Sequence, residues 1–113
     1  MKIFRFLEKS PVVRKYDVLD FRLFSSGFYL KIRAEIVDGS VLFIREYVDE
    51  KERNYSYHWQ TGRGEILVRW DNAPHNLGLR TYPHHKHIGG DVLESFENTC
   101  EDVLCYIGDH LKK

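Results

Sequence analysis

A chain of 113 residues that is 42% hydrophobic and 30% charged fits one soluble globular domain, residues 1–113, and is too short for two cores. Its 17 lysines and arginines balance 17 aspartates and glutamates, so no global basic field draws nucleic acid from a distance, and such binding would need a local patch. Apolar runs stop after a few residues, as in Val41-Leu42-Phe43-Ile44, whereas a membrane span needs about 20, so no membrane contact is expected. Residues Met1 to Glu8 show neither the apolar stretch nor the small-residue cleavage site of a signal peptide. Cys100 and Cys105 stand five apart, which is neither a CxxC redox pair nor a zinc spacing. The expected location is cytoplasmic.

Ile3, Phe4 and Leu7 fit one face of a short opening helix, which Ser10-Pro11 ends. From Val12 the pattern changes to period two. Leu19, Phe21 and Leu23 alternate with polar neighbours, and Phe28, Leu30, Ile32, Ala34 and Ile36 share a face opposite Lys31, Arg33 and Glu35. Asp38-Gly39 supplies the turn of a tight hairpin into a strand over Val41 to Val48. After a polar connection, Tyr55 to Gln60 reads as an aromatic strand, and Thr61 to Gly64 turns the chain into Glu65 to Trp70. Short connections throughout predict an antiparallel meander of about five strands. Pro74, Gly78, Pro83, Gly89 and Gly90 interrupt residues 72–90, which are expected to be irregular. The last segment returns to helical spacing. Ser95 is the expected cap of a helix whose Phe96, Thr99, Cys100, Val103, Leu104, Ile107 and Leu111 form an apolar stripe packed on one sheet face, giving an α+β domain.

Four of the six histidines, His75, His84, His85 and His87, fall within thirteen positions between the last long strand and this helix. Imidazole titrates near neutral pH and also ligates borderline metals. With Arg69, Arg80, Lys86 and Asp71 nearby, the segment gathers proton-transfer and anion-binding groups, the combination that metal-independent RNA cleavage uses. Tyr57 and Tyr82 could hydrogen-bond or stack on such a substrate, and Trp59 and Trp70 offer stacking faces for unpaired bases. Two other readings stay open. One is a surface strand edge whose imidazoles only cap backbone groups. The other is a metal site in which His85 and His87, on one face if the segment is extended, join Asp71 or His75. Lys86 and the two arginines oppose a cation there.

Asp71 either closes an Asp-Asn-Ala-Pro turn or orients an imidazole and favours its protonated form, and the two roles are compatible. Arg69 alternates with Leu67 on the last strand. His58, between Tyr57 and Trp59, reads first as a packed strand residue, His110 as a complement to the helix dipole, and Glu46 as an exposed strand carboxylate. No GxSxG, P-loop or GxGxxG occurs, and Gly62-Arg63-Gly64 is a hairpin turn.

Taken together, Asp38-Gly39-Ser40, Glu46-Tyr47, Tyr55-Ser56-Tyr57-His58-Trp59, the run from Arg69 to His75, the run from Tyr82 to His87 and a late Ser95 followed by Glu101-Asp102-Val103-Leu104 resemble the TumE family of prokaryotic toxins. The similarity runs from about Ser10 to Ile107, and RWDNAPH followed closely by PHHKH is its specific part. The resemblance implies the growth-inhibiting half of a toxin–antitoxin system, neutralised by an adjacent antitoxin that often carries a helix-turn-helix. A ribonuclease activity of the RelE-like general kind extends that reading. Two departures stand out. The family's Pro-His-His reads Pro74-His75-Asn76 here, and the N-terminal helix is short, which touches any antitoxin-contacting or homodimer-forming role.

The expected catalytic set is His85 and His87 as general acid and base, with His84, His75 and Asp71 beside them. Arg69 and Lys86 are expected on the phosphate, with Tyr57, Tyr82 and Trp70 also binding RNA, and no cofactor is expected. The alternative is a non-enzymatic module that binds a protein or a metal, held by His85, His87 and Asp71, through the same loop. The neutral net charge leans toward that alternative.

Overall fold

A computed structural model describes residues 1–73 and 79–112. The chain runs α1 (Lys2–Lys9), β1 (Val13–Phe24), β2 (Gly27–Ile36), β3 (Val41–Val48), β4 (Arg53–Gln60), β5 (Ile66–Asp71), β6 (His85–Ile88), β7 (Asp91–Glu94) and α2 (Cys100–Leu111). The strands form one antiparallel sheet in sequence order, β1 to β7. The fold is α+β, as expected, with seven strands rather than five. The two additional strands come from within and just beyond the stretch expected to be irregular. There Gly89 and Gly90, with φ of +57° and +89°, form a two-residue turn between Ile88 and its partner Asp91. Positive φ at both central positions is what a type I′ hairpin requires, so the glycines connect strands instead of breaking them.

Alternation on β2 sets the layers. Leu30, Ile32, Ala34 and Ile36 are fully buried, while Tyr29, Lys31, Arg33 and Glu35 point the other way and stay half-exposed. Leu42 and Ile44 of β3, Tyr55, Tyr57 and Trp59 of β4, and Val68 and Trp70 of β5 continue the buried layer. Ile3 and Leu7 of α1 and Val103, Leu104 and Ile107 of α2 close over it. Both helices therefore cover one face of the sheet and leave the other open. Ile107 is completely buried, so truncating it to alanine would cost about 2–5 kcal/mol. Among the described residues no helix is long and apolar enough to cross a membrane.

Three local expectations change. The cap of α2 is Thr99, not Ser95. The Thr99 hydroxyl accepts from the Asp102 amide at 3.3 Å while the Thr99 amide donates to the Asp102 carboxylate at 2.9 Å, a reciprocal box that Ser95 does not form. Phe96 consequently lies outside the helix and is 83% exposed. On β1, Leu19 and Leu23 are 50% and 74% exposed, because this is an edge strand with an irregular register between Val18 and Asp20. Glu46 is buried rather than exposed, at 2.9 Å from Arg53. The Arg53 guanidinium also donates to the Tyr57 hydroxyl at 2.9 Å and to the Asn98 carbonyl at 2.8 Å, tying the sheet to the segment that leads into α2.

Candidate active site

The pairing of β5 with β6 places Asp71 opposite His85, Trp70 opposite Lys86 and Arg69 opposite His87. Alternation then sorts these six side chains. Arg69, Asp71, His85 and His87 belong to the open face, and Trp70 and Lys86 to the helix face. The next pairing continues the first row inward, with His58 of β4 opposite Arg69 and Ser56 opposite Asp71.

Asp71 is the hub. Its side chain is only 6% exposed. One carboxylate oxygen lies 2.8 Å from His85 Nε2 and accepts the Ala73 amide at 3.0 Å, so the turn role and the histidine-orienting role coexist. The other lies 3.2 Å from Arg69 Nε and 3.6 Å from His87 Nε2. His85 is 2% exposed, and its Nδ1 pairs with the Pro83 carbonyl at 2.9 Å. A carbonyl only accepts, so Nδ1 carries the hydrogen of that bond, and Nε2 faces the Asp71 carboxylate. The His85 and His87 rings meet edge to face at 4.9 Å.

His87 is the accessible imidazole of the pair, with its side chain 34% exposed. Partial burial holds it below the ordinary histidine value, and the neighbouring His85 and Arg69 charges push the same way against the pull of Asp71. His58 is likewise held low, first by burial and then by Arg69. Arg69 thus stands between two imidazoles, in register on both sides, that favour the neutral form. Cross-strand spacing puts the His58 and His87 backbones about 10 Å apart, two steps of about 4.8 Å.

Several expected site residues lie elsewhere. His84 points to the helix face, where its ring stacks on Tyr55 at 5.8 Å and its Nδ1 pairs with the Tyr55 hydroxyl at 2.9 Å. Lys86 extends over the Tyr106 ring of α2, 5.6 Å from its centroid, so it does not share a face with Arg69. Trp70 packs edge-on against Tyr106 at 5.1 Å, and Tyr57 is fully buried beneath the helices, so neither ring is open to a base. Burial pushes the Tyr57 phenol far above its usual value. Trp59 is also buried, donating from Nε1 to the Ser40 hydroxyl at 2.9 Å. Arg80 pairs with Glu94 at 3.0 Å on the surface, and Tyr82 is exposed on the turn before β6. His75 and Asn76 lie outside the described residues. His58, read first as a packed residue, joins the row through Arg69. The signal was its parity: on β4 the even positions face away from Tyr55, Tyr57 and Trp59.

Among the described residues a metal has one triad to consider. Asp71, His85 and His87 offer ligand atoms within 4.8 Å of one another. The Pro83 carbonyl fixes His85 with Nε2 as its free nitrogen, as metal-bound imidazoles are commonly held. Against it, the Arg69 guanidinium already occupies the second carboxylate oxygen and adds a positive charge where a cation would bind.

The chain is thus an α+β protein whose antiparallel sheet carries helices on one face and, on the other, a buried carboxylate among imidazoles and a guanidinium. The family model described as Toxin TumE matches residues 3–111, nearly the whole chain, and the chain belongs to that toxin family. Membership implies a cognate antitoxin. No curated protein and no solved structure matches it.

Proposed function

We propose that this toxin arrests growth by cleaving RNA without a metal ion, at the open-face row His58–Arg69–His87 backed by the Asp71–His85 pair. The supporting observation is that row: an arginine flanked on neighbouring strands by two imidazoles held toward neutrality. Arg69 holds the scissile phosphate and stabilises the charge that builds on it. His87 takes the proton of the 2′-hydroxyl, whose oxygen attacks phosphorus. The bond to the 5′-oxygen breaks, and that oxygen takes a proton from the imidazolium form of His58. The products are a 2′,3′-cyclic phosphate and a 5′-hydroxyl end. Asp71 and His85 are positioning residues, because His85 is too buried to meet a substrate and Asp71 contacts both His87 and Arg69.

Removing a positioned acid or base costs on the order of 10²–10⁴ in rate, so His87→Ala and Arg69→Ala should abolish detectable cleavage in folded protein. The 5′-hydroxyl ends should persist in EDTA. Cleavage by both alanine variants at the wild-type rate would remove the site, and loss of activity in EDTA, restored by a divalent transition metal, would favour the Asp71–His85–His87 metal reading. The expected partners follow: RNA as substrate, and a cognate antitoxin, for which we propose a helix-turn-helix protein. Growth arrest with intact RNA would leave a non-enzymatic binding module acting through the same face.

A further inference from the structure

The open face continues beyond the histidines. Two cross-strand rows run over it, Lys31–Arg45–Ser56–Asp71–His85 and Arg33–Phe43–His58–Arg69–His87, from β2 to β6. Glu35 on this face is committed to Arg14 at 2.9 Å and Lys15 at 3.2 Å, Asp20 to Arg22 at 3.3 Å and Asp71 to the site, while the edge strand β1 places Asp17 opposite Arg33 and Asp20 opposite Lys31. Among the described residues no carboxylate pairs with Lys31, Arg33 or Arg45. A depression of about 370 Å³ is lined by Lys31, Arg45 and Arg69 together with Phe43 and His58, whose rings lie 6.4 Å apart and edge to face. The carboxylates Asp17 and Asp20 stand at the β1 margin, whereas the depression itself is lined by cations without a carboxylate, and its far end is the acid–base row.

We propose that the open face of β2–β5 is the binding track for single-stranded RNA, with Lys31 and Arg45 on phosphates flanking the scissile one and Phe43 beneath an unstacked base. The assignment rests on the ribonuclease reading above for its choice of occupant. From β3 to β6 the track spans about 14 Å, three interstrand steps of about 4.8 Å, so phosphates flanking one held at Arg69 fall within reach of Arg45. A half-buried aromatic between cations suits unpaired bases, which present a ring face, and not a duplex, whose bases are stacked inside. The helix face of the same strands offers nothing comparable, because it is closed by α1 and α2.

The test is fluorescence anisotropy with a short labelled single-stranded 2′-O-methyl oligoribonucleotide. It lacks the attacking hydroxyl, so the wild-type chain binds it without cutting it. For single strands, log K falls with log salt by about 0.7 per phosphate contact. Lys31→Ala with Arg45→Ala should therefore flatten the slope by about 1.4, whereas Lys9→Ala with Lys112→Ala, on the exposed ends of the helices, should leave it unchanged. Phe43→Ala should weaken binding about tenfold or more, since stacking contributes about 1–3 kcal/mol per base. An unchanged slope in Lys31→Ala/Arg45→Ala, or a slope flattened by the helix-end pair, would overturn the track even if cleavage of ordinary RNA persisted. Binding with the expected slopes but no cleavage would uphold the track and remove the nuclease reading. Equal affinity for duplex RNA would overturn the single-strand assignment. Self-association that disappears in Lys31→Ala/Arg45→Ala, with RNA binding unchanged, would reassign the face to a second copy of the chain.

Discussion

Replacing Asp71 by asparagine keeps the shape of the hub and removes its charge. The carboxylate lies 2.8 Å from His85 Nε2 and 3.2 Å from Arg69 Nε, and it accepts the Ala73 amide at 3.0 Å. Asparagine can still accept from Ala73, so the turn survives. What is lost is the carboxylate's contact with a buried imidazole, where leaving a buried polar group without its partner costs about 1–3 kcal/mol. The Arg69 contact adds little, because that side chain is 47% exposed and surface pairs contribute about 0–1 kcal/mol. Asp71→Asn should therefore destabilise the fold by about 2 kcal/mol, lowering Tm by roughly 8 °C for a domain of this size. Urea unfolding with an unchanged m-value would read it directly. His85→Gln should cost a similar amount, and the double variant should cost less than the sum by about 1–3 kcal/mol. A loss below about 0.5 kcal/mol for Asp71→Asn, or strict additivity with His85→Gln, would refute the coupling assigned to this pair.

The remaining outcomes are quicker to check. His87 must be neutral as the base and His58 protonated as the acid, and both are held below the ordinary value of 6.5. Cleavage should therefore follow a bell-shaped profile with its maximum on the acidic side of that value, falling at lower pH as His87 protonates and at higher pH as His58 loses its proton. Stability follows the acid limb: the unfolded histidine binds its proton at higher pH than the folded one, so His87 and His58 erode stability as pH falls through that window and cost nothing above it. Tyr57→Phe removes one acceptor from Arg53 and should cost about 1 kcal/mol in unfolding while leaving RNA cleavage untouched, because Tyr57 lies beneath the helices. Cys105 is exposed and should react with a thiol reagent in the folded protein, whereas Cys100, buried with its thiol pushed up to about 12, should react only on unfolding.

Much of the sheet was legible because its alternation is clean. On β2 the apolar positions of the sequence are the buried ones, and Asp38-Gly39 turns the chain where expected, with Gly39 at φ +91°. The same period-two rule had placed His85 and His87 together. Carried one residue further it also sends Lys86 to the opposite face, and carried along β4 and β5 it separates Tyr57 and Trp70 from Arg69. Sequence proximity had grouped them; the pleat divides them. Phe96 fits helical spacing and drew the helix start to Ser95, yet the reciprocal Thr99–Asp102 cap was also written in the chain. The burial of Glu46 was not legible, since it depends on Arg53 reaching it from the next strand. Nor could spacing alone show that His85 would be covered and His87 left accessible, because that follows from how Asp71 and Pro83 hold one ring from both sides.

The central claim, that this family member is a ribonuclease toxin acting through His87 and Arg69, is tested most directly by expressing the chain in growing cells beside soluble His87→Ala and Arg69→Ala variants and mapping 5′-hydroxyl ends in total RNA. Growth arrest with new ends in the wild type, and neither in the variants, is the expected result. Arrest with new ends in all three chains, or arrest without any new ends, would contradict it.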